Sequence, residues 1–248
     1  VPVFPLALLP DGFSISWAGE TGIAIVDNFV TQEEAEYLIT QASKSLTDSQ
    51  ITIGNKRIKD DYRTSQTAVI LGPNHMDSAV IAVVRRAAML LSLPASHIEC
   101  VYATRYRAGE YYKAHQDAYP GFDGDRLYTT LIYLNDLAED AGGGTVFGKL
   151  NVGVSPKCGR AVIWTNKNQD GITHPEAVHE ALPVAPGAVK WVIQLWFRSY
   201  PLMAIPTSSV DNPQMSYGVP LRGNEVLLDG VWAPGQVAPD SDYAKAFN

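Results

Sequence analysis

Beyond residue 98 the chain breaks into short segments rich in β-branched and aromatic residues, separated by glycine, proline and asparagine. That punctuation limits the fold more than any other feature, because it leaves no room for long helices and calls for many short strands. Candidate strands are residues 98–106, 111–115, 127–134, 145–147, 160–164 and 191–197. Gly109 marks a turn after the first, Asn135-Asp136 stops the third, and Gly142-Gly143-Gly144 makes a sharp turn before the fourth. Short strands in this number predict a mainly β chain, a jelly-roll of two packed sheets.

The N-terminal part adds helices. Gly22-Ile23-Ala24-Ile25-Val26 is a strand candidate that ends at Asp27-Asn28. Thr31 and Glu34 then fit a capping box, and Ala35, Leu38, Ile39, Ala42 and Leu46 follow at helical spacing, so a helix is expected over 32–46. A second is expected over about 76–92, capped by Asp77 and ended by Pro94. Both should brace the outside of one sheet. The polar stretch 54–63 reads as a solvated loop, with a mobile lid over a substrate as the functional alternative. Six of the sixteen prolines lie in residues 201–248, which read as an irregular extension packed on the same domain, residues 1–200 forming that domain.

Composition narrows the functional classes. The formal net charge is −7 and no long basic run occurs, which argues against nucleic acid as the main partner. No apolar run reaches the length of a membrane span. Cys100 and Cys158 are the two cysteines, so a disulfide scaffold is excluded, and two packed thiols or one bridge remain.

The chemistry begins at Tyr112-Lys113-Ala114-His115-Gln116-Asp117. In an extended segment residues i and i+2 share a face, so His115 and Asp117 can grip one ion together. A third ligand must come from a distant segment: His179, beside a strand pattern, or His174, in a loop before Pro175. Two imidazoles and a carboxylate suit a non-haem Fe(II) with open positions for O₂ and a co-substrate. The same donors could hold zinc. Lys190 stands in an otherwise apolar strand, where an unpaired cation is costly and an anionic ligand removes the cost. 2-Oxoglutarate fits: its keto-acid end chelates iron and its far carboxylate pairs with Lys190. Tyr106, Tyr133 and Thr129 are candidate hydroxyl partners for that carboxylate.

These residues also carry a resemblance. Arg105-Tyr106-x-x-Gly109-x-x-Tyr112-x-x-His115-x-Asp117 is similar to the metal-binding segment of the prolyl 4-hydroxylase family, Fe(II)- and 2-oxoglutarate-dependent dioxygenases. So are residues 130–136 with Gly143-Gly144-Thr145-Val146-Phe147, and His179-x-x-x-Pro183-Val184-x-x-Gly187 with Lys190-Trp191 and Trp196. Upstream, residues 25–30 with Glu33-Glu34, and Arg63-Thr64-Ser65, resemble that family's N-terminal part. The resemblance spans roughly residues 22–200. It implies a double-stranded β-helix, His115, Asp117 and His179 as iron ligands, and Lys190 as the 2-oxoglutarate anchor, supported by Tyr106, Thr129 and Tyr133. Arg126 and Arg198 fall near positions where relatives meet substrate, and Trp196 and Arg63 are further candidates for contact with it. L-ascorbic acid is a candidate reductant.

One departure bears on the site. Ala188-Val189 puts two residues between Gly187 and Lys190 where the family usually has one, and a shift of one position in a strand reverses the face of Lys190 unless a bulge restores it. The expected reaction is hydroxylation of an unactivated C–H bond, since Asp117 fills the position that a halogenating enzyme leaves vacant. The leading substrate is a prolyl residue in a peptide. The alternatives are a free amino acid or natural product, hydroxylated or oxidatively cyclised, and, remotely, a non-catalytic jelly-roll metal-binding protein.

Overall fold

The computed structural model describes residues 14–17, 22–53, 56–72, 77–118, 126–168, 171–203 and 205. The chain opens with β1 (Ser14–Trp17) and β2 (Ala24–Asp27), then α1 (Gln32–Ser43). Short strands β3 (Thr47–Asp48), β4 (Ile51–Ile53) and β5 (Lys56–Ile58) precede β6 (Gln66–Leu71) and α2 (Ser78–Leu90). The second half comprises β7 (Val101–Tyr106), β8 (Tyr112–His115), β9 (Arg126–Tyr133) and β10 (Thr145–Phe147), followed by β11 (Val152–Val154), β12 (Ala161–Thr165), β13 (His179–Ala181) and β14 (Lys190–Arg198).

Both helices start where the caps require. Thr31 Oγ1 accepts from the Glu34 amide, and the Glu34 carboxylate accepts from the Thr31 amide at 2.9 Å, so two otherwise orphaned donors are satisfied. Asp77 Oδ1 accepts from the amides of Ala79 and Val80. Helix α1 ends at Ser43, short of residue 46, because the chain must turn into β3 at Thr47. Leu46 still packs against the core as a partly buried side chain.

The strands form two main sheets. The larger runs β1-β2-β12-β9-β14-β7-β6-β3 and the smaller β11-β10-β13-β8, with antiparallel pairing throughout. Strand alternation divides the large sheet's side chains between two cores. Ile132, Ile163, Ile193 and Phe197 face outward and pack with Leu38 of α1 and Val80 and Val84 of α2. Leu131, Tyr133, Val162 and Val192 face inward and meet Phe147 and Val154 of the small sheet. This is the jelly-roll braced by helices that the pattern predicts. At roughly 25 cal/mol per Å² of apolar surface removed from water, these two cores supply the main drive for folding.

Some segments differ from expectation. The polar stretch 54–63 is not a plain loop: β5 pairs with β4, Ile51 opposite Ile58, as a separate two-stranded sheet. Its charged side chains hid the strand, because a hairpin at the surface needs no apolar face. Strands β6 and β11 lacked a clear alternation and were not expected. Cys100 and Cys158 are both free thiols. No described helix is long and apolar enough to cross a membrane. Most of the proposed 201–248 extension lies outside the described residues. Its first part packs on the domain, with the amides of Leu202 and Met203 donating to Ser96 O and the side chains of Met203 and Ile205 buried.

The Gly142-Gly143 turn is sterically obligatory. Gly142 has φ +66° and ψ −138°, and a Cβ there would sit 2.4 Å from the Pro183 carbonyl oxygen. That backbone region is essentially reserved for glycine. Gly142→Ala should therefore lower the unfolding free energy in urea by about 1–3 kcal/mol. Gly148→Ala, where a Cβ meets nothing within 4 Å, should stay within about 0.5 kcal/mol.

Candidate metal centre

Strand pairing brings the distant ligands together. In the β8–β13 ladder His115 lies directly opposite His179, and their ring centroids are 4.3 Å apart. Asp117 follows two residues after β8 ends. Its Oδ1 lies 3.7 Å from His115 Nε2 and its Oδ2 3.8 Å from His179 Nε2. One ligand atom from each residue falls within 4.8 Å of the others, and all three residues are buried.

The imidazoles are oriented by their far nitrogens. His115 Nδ1 lies 2.7 Å from Lys113 O, and His179 Nδ1 lies 2.9 Å from Ala177 O. A carbonyl only accepts, so each Nδ1 carries the proton and each Nε2 turns a lone pair toward the shared centre. His115 Nε2 is buried with no hydrogen-bond partner, the mark of an atom shaped for an ion. Burial, then the neighbouring His179, depresses the His115 pKa to about 3 and keeps the ring neutral. For Asp117 burial acts upward, while positive charge on the two imidazoles when protonated, the Arg126 guanidinium and the Thr129 hydroxyl act downward and hold the carboxyl below its usual value. Stacking fixes the rings further: Tyr112 lies 3.5 Å from the His115 ring at 14°, and Trp164 meets His179 edge-on at 4.7 Å. This donor set fits a facial site with free positions.

His174 is used differently. It caps the short 3-10 turn Pro175–Ala177, its Nδ1 accepting from the Glu176 amide at 3.2 Å. It is not part of the cluster.

Lys190 lies inside the sandwich. It pairs with Tyr106 across β14–β7, is 1% exposed, and donates to Gly143 O at 2.8 Å. The extra residue before it therefore does not turn it outward, and the neighbouring Val189 is exposed. Burial lowers the Lys190 pKa to about 7, and no described carboxylate pairs with it. Its ammonium sits 4.2 Å above the Tyr106 ring.

Two of the expected hydroxyl partners are committed elsewhere. The Tyr133 hydroxyl lies 2.7 Å from Thr145 Oγ1 and 3.0 Å from Val154 O. Thr129 Oγ1 donates to Asp117 Oδ2 at 2.7 Å, so it serves the carboxylate of the metal cluster rather than the region of Lys190. Tyr106 is buried and presents its ring face to the Lys190 ammonium.

The arginines divide. Arg126 forms a two-pronged pair with Glu99 at 2.6 and 2.9 Å, donates to the Asp117 carbonyl at 3.0 Å, and lies 3.9 Å over the Trp196 ring. Arg198, at 1% exposure, shares the same Glu99 at 2.8 Å and does not reach the groove. Burial acts upward on Glu99, but the two guanidiniums hold its carboxyl below its ordinary value. Glu99 was missed by the sequence reading; its one signal was a carboxylate between apolar Ile98 and Val101. Arg63, nearly buried, donates to Ser65, Thr67 and Thr104 and lies 4.7 Å over the Tyr112 ring. Arg63, Tyr112, Asp117, Arg126 and Trp196 line a groove of about 980 Å³, with Tyr62 and Arg57 at its hairpin side.

The family model for the 2OG-Fe(II) oxygenase superfamily matches residues 101–198. Prolyl 4-hydroxylase 1 of Arabidopsis thaliana is 29% identical over 204 residues, which are 74% of this chain and 70% of that one. Prolyl 4-hydroxylase subunit alpha-3 of Rattus norvegicus is 29% identical over 188 residues, 72% of this chain but 34% of the subunit, so the chain spans about a third of that relative. Among solved structures, the 2OG complex of a viral collagen prolyl hydroxylase from Paramecium Bursaria Chlorella virus-1 superposes with a TM-score of 0.57 at 25% identity, covering 75% of this chain and 100% of that one. With fold, order of motifs and donor set in agreement, residues 101–198 match the 2OG-Fe(II) oxygenase superfamily, and the comparisons support a prolyl 4-hydroxylase-like, 2-oxoglutarate-dependent dioxygenase.

Proposed function

We propose that this dioxygenase hydroxylates a prolyl residue in a peptide, with His115, Asp117 and His179 holding the iron and Lys190 anchoring 2-oxoglutarate. The observation that carries the reading is the juxtaposition of the cluster with the open groove: Asp117 belongs to both. A groove of about 980 Å³ exceeds what 2-oxoglutarate alone needs. Its aromatic flank, Tyr62, Tyr112, Tyr102 and Trp196, suits an extended proline-rich segment, which docks on aromatic rings with little loss of conformational freedom.

When bound, ferrous iron with 2-oxoglutarate supplies the oxygen-activating chemistry, and the protein positions and shields. Lys190 offers a buried positive charge whose cost is relieved when the far carboxylate of 2-oxoglutarate arrives. The apolar side chains between the sheets, among them Phe147, Val184 and Val192, keep water from that carboxylate. Arg126, clamped by Glu99, holds the Asp117 main chain from the groove side. Ascorbate remains the candidate reductant.

A second reading has one observation in its favour. Among the described residues the donors of Arg63 meet neutral hydroxyls and a ring, with no carboxylate. A guanidinium so placed suits the carboxylate of a free amino acid. Mass spectrometry of products from proline-rich peptides and free amino acids, incubated with iron and 2-oxoglutarate, separates the two. Gain of one oxygen on peptidyl proline is expected; turnover of free amino acids alone would sink the peptide reading.

Asp117→Ala should abolish 2-oxoglutarate turnover while the circular dichroism spectrum is retained, and His174→Ala should keep iron where His179→Ala loses it, read by metal analysis of the purified variants.

Lys190→Ala should raise the Michaelis constant for 2-oxoglutarate by roughly 10- to 150-fold, the effect of about 1.5–3 kcal/mol from a charge-assisted contact. The sign of the pH effect follows from the lysine. Its pKa near 7 rises when a carboxylate pairs with it, so affinity is full below pH 7 and falls above it, approaching about tenfold per pH unit. Steady-state kinetics from pH 6 to 9 should show this slope in the wild type and not in Lys190→Ala.

A further inference from the structure

We propose that Trp164, Asn166 and Thr129 form a one-way hydrogen-bond relay whose task is to hold Asp117 in the orientation that grips the ion. The proposal rests on the reading of Asp117 as a ligand. Three links run in line: Trp164 Nε1 donates to Asn166 Oδ1 at 3.1 Å, Asn166 Nδ2 donates to Thr129 Oγ1 at 2.9 Å, and Thr129 Oγ1 donates to Asp117 Oδ2 at 2.7 Å. All four residues are buried, Asn166 and Thr129 to 1% exposure.

The direction of the relay is forced by donor chemistry. An indole N–H can only donate, so the amide of Asn166 must turn its oxygen toward Trp164. Its NH₂ is then left for Thr129. A threonine hydroxyl has one proton, and with Asn166 donating to its oxygen that proton is free to go to Asp117 alone. If the amide flipped, its NH₂ would face the indole N–H, donor against donor, and its oxygen would draw the Thr129 proton away from Asp117.

The scaffold that carries the relay is rigid. Trp164 and Thr129 are direct cross-strand partners in the β12–β9 ladder. Asn166 follows β12, its amide donating to Leu127 O at 2.8 Å and its carbonyl accepting from the His174 amide at 2.9 Å. Trp164 thus serves two ligands: its ring packs edge-on against His179, and its N–H acts on Asp117 through two intermediates. Outer partners of this kind set ligand orientation, and their loss typically costs about 10- to 100-fold in metal affinity.

The test is Co(II) binding to the metal-free protein, by calorimetry and by the visible ligand-field spectrum, with no turnover involved. Thr129→Val keeps the shape and removes the hydroxyl; Thr129→Ser restores it. The expected result is a Co(II) affinity about 10- to 100-fold weaker and an altered spectrum for Thr129→Val, with Thr129→Ser close to wild type. Trp164→Phe keeps a ring against His179 and removes only the donor that sets the amide, and it should also weaken Co(II), by less. Wild-type affinity in Thr129→Val, or failure of Thr129→Ser to recover it, overturns the proposal. Should Thr129→Val not fold, wild-type affinity in Trp164→Phe overturns it instead. Asp117→Ala in the same titration separates the two levels: unchanged binding there removes Asp117 as a ligand and the relay with it, whereas lost binding there beside unchanged binding in Thr129→Val removes the relay alone.

Discussion

A single rung of antiparallel pairing, His115 opposite His179, is the constraint on which the centre depends. Two imidazoles far apart in the chain face one another because β8 and β13 share a ladder, and each points inward because its Nδ1 is tied to a carbonyl two residues back in its own strand region. A slip of one residue in either strand would turn one ring to the opposite face. The irregularity between His179 and Ala181 lies immediately beyond this rung, so the pairing is regular at the histidines and relaxes only after them.

Buried charge is handled in three ways around this rung. Asp117 is balanced by surrounding donors, with Thr129 on its carboxylate and Arg126 on its main chain. Glu99 is matched by two guanidiniums, a desolvated network that would be strongly destabilising if one member were removed. Lys190 is left with a carbonyl and an aromatic face, neither a full counter-charge. The molecule balances Asp117 and Glu99 with donors and leaves the buried Lys190 without a carboxylate among the described residues.

Much of this was legible in the sequence where local chemistry decides. The Thr31 and Glu34 box and the Asp77 cap act within a few residues, and they placed both helix starts. The spacing of His115 and Asp117 declared a shared face. What sequence could not show was which hydroxyl meets which acceptor. Thr129, Tyr133 and Tyr106 all lie on inward faces, as their strands predict, but the partner of a hydroxyl depends on the next strand over, and Thr129 turns to Asp117 while Tyr133 turns to Thr145 and Val154. The surface hairpin of residues 51–58 was illegible for another reason: a two-stranded ribbon in water needs no apolar periodicity. Arg198 stands near the end of a core strand, and its pairing with the buried Glu99 could not be read from the sequence.

That hairpin stands apart from both main sheets yet contributes Ile51 and Arg57 to the groove wall. The groove wall is thus shared between this ribbon and residues carried by the main sheets, Tyr102, Tyr112 and Trp196 among them. Replacements in the ribbon would reshape that wall without touching the ladder that pairs His115 with His179, so the rim of the groove is free to vary while the cluster stays constant.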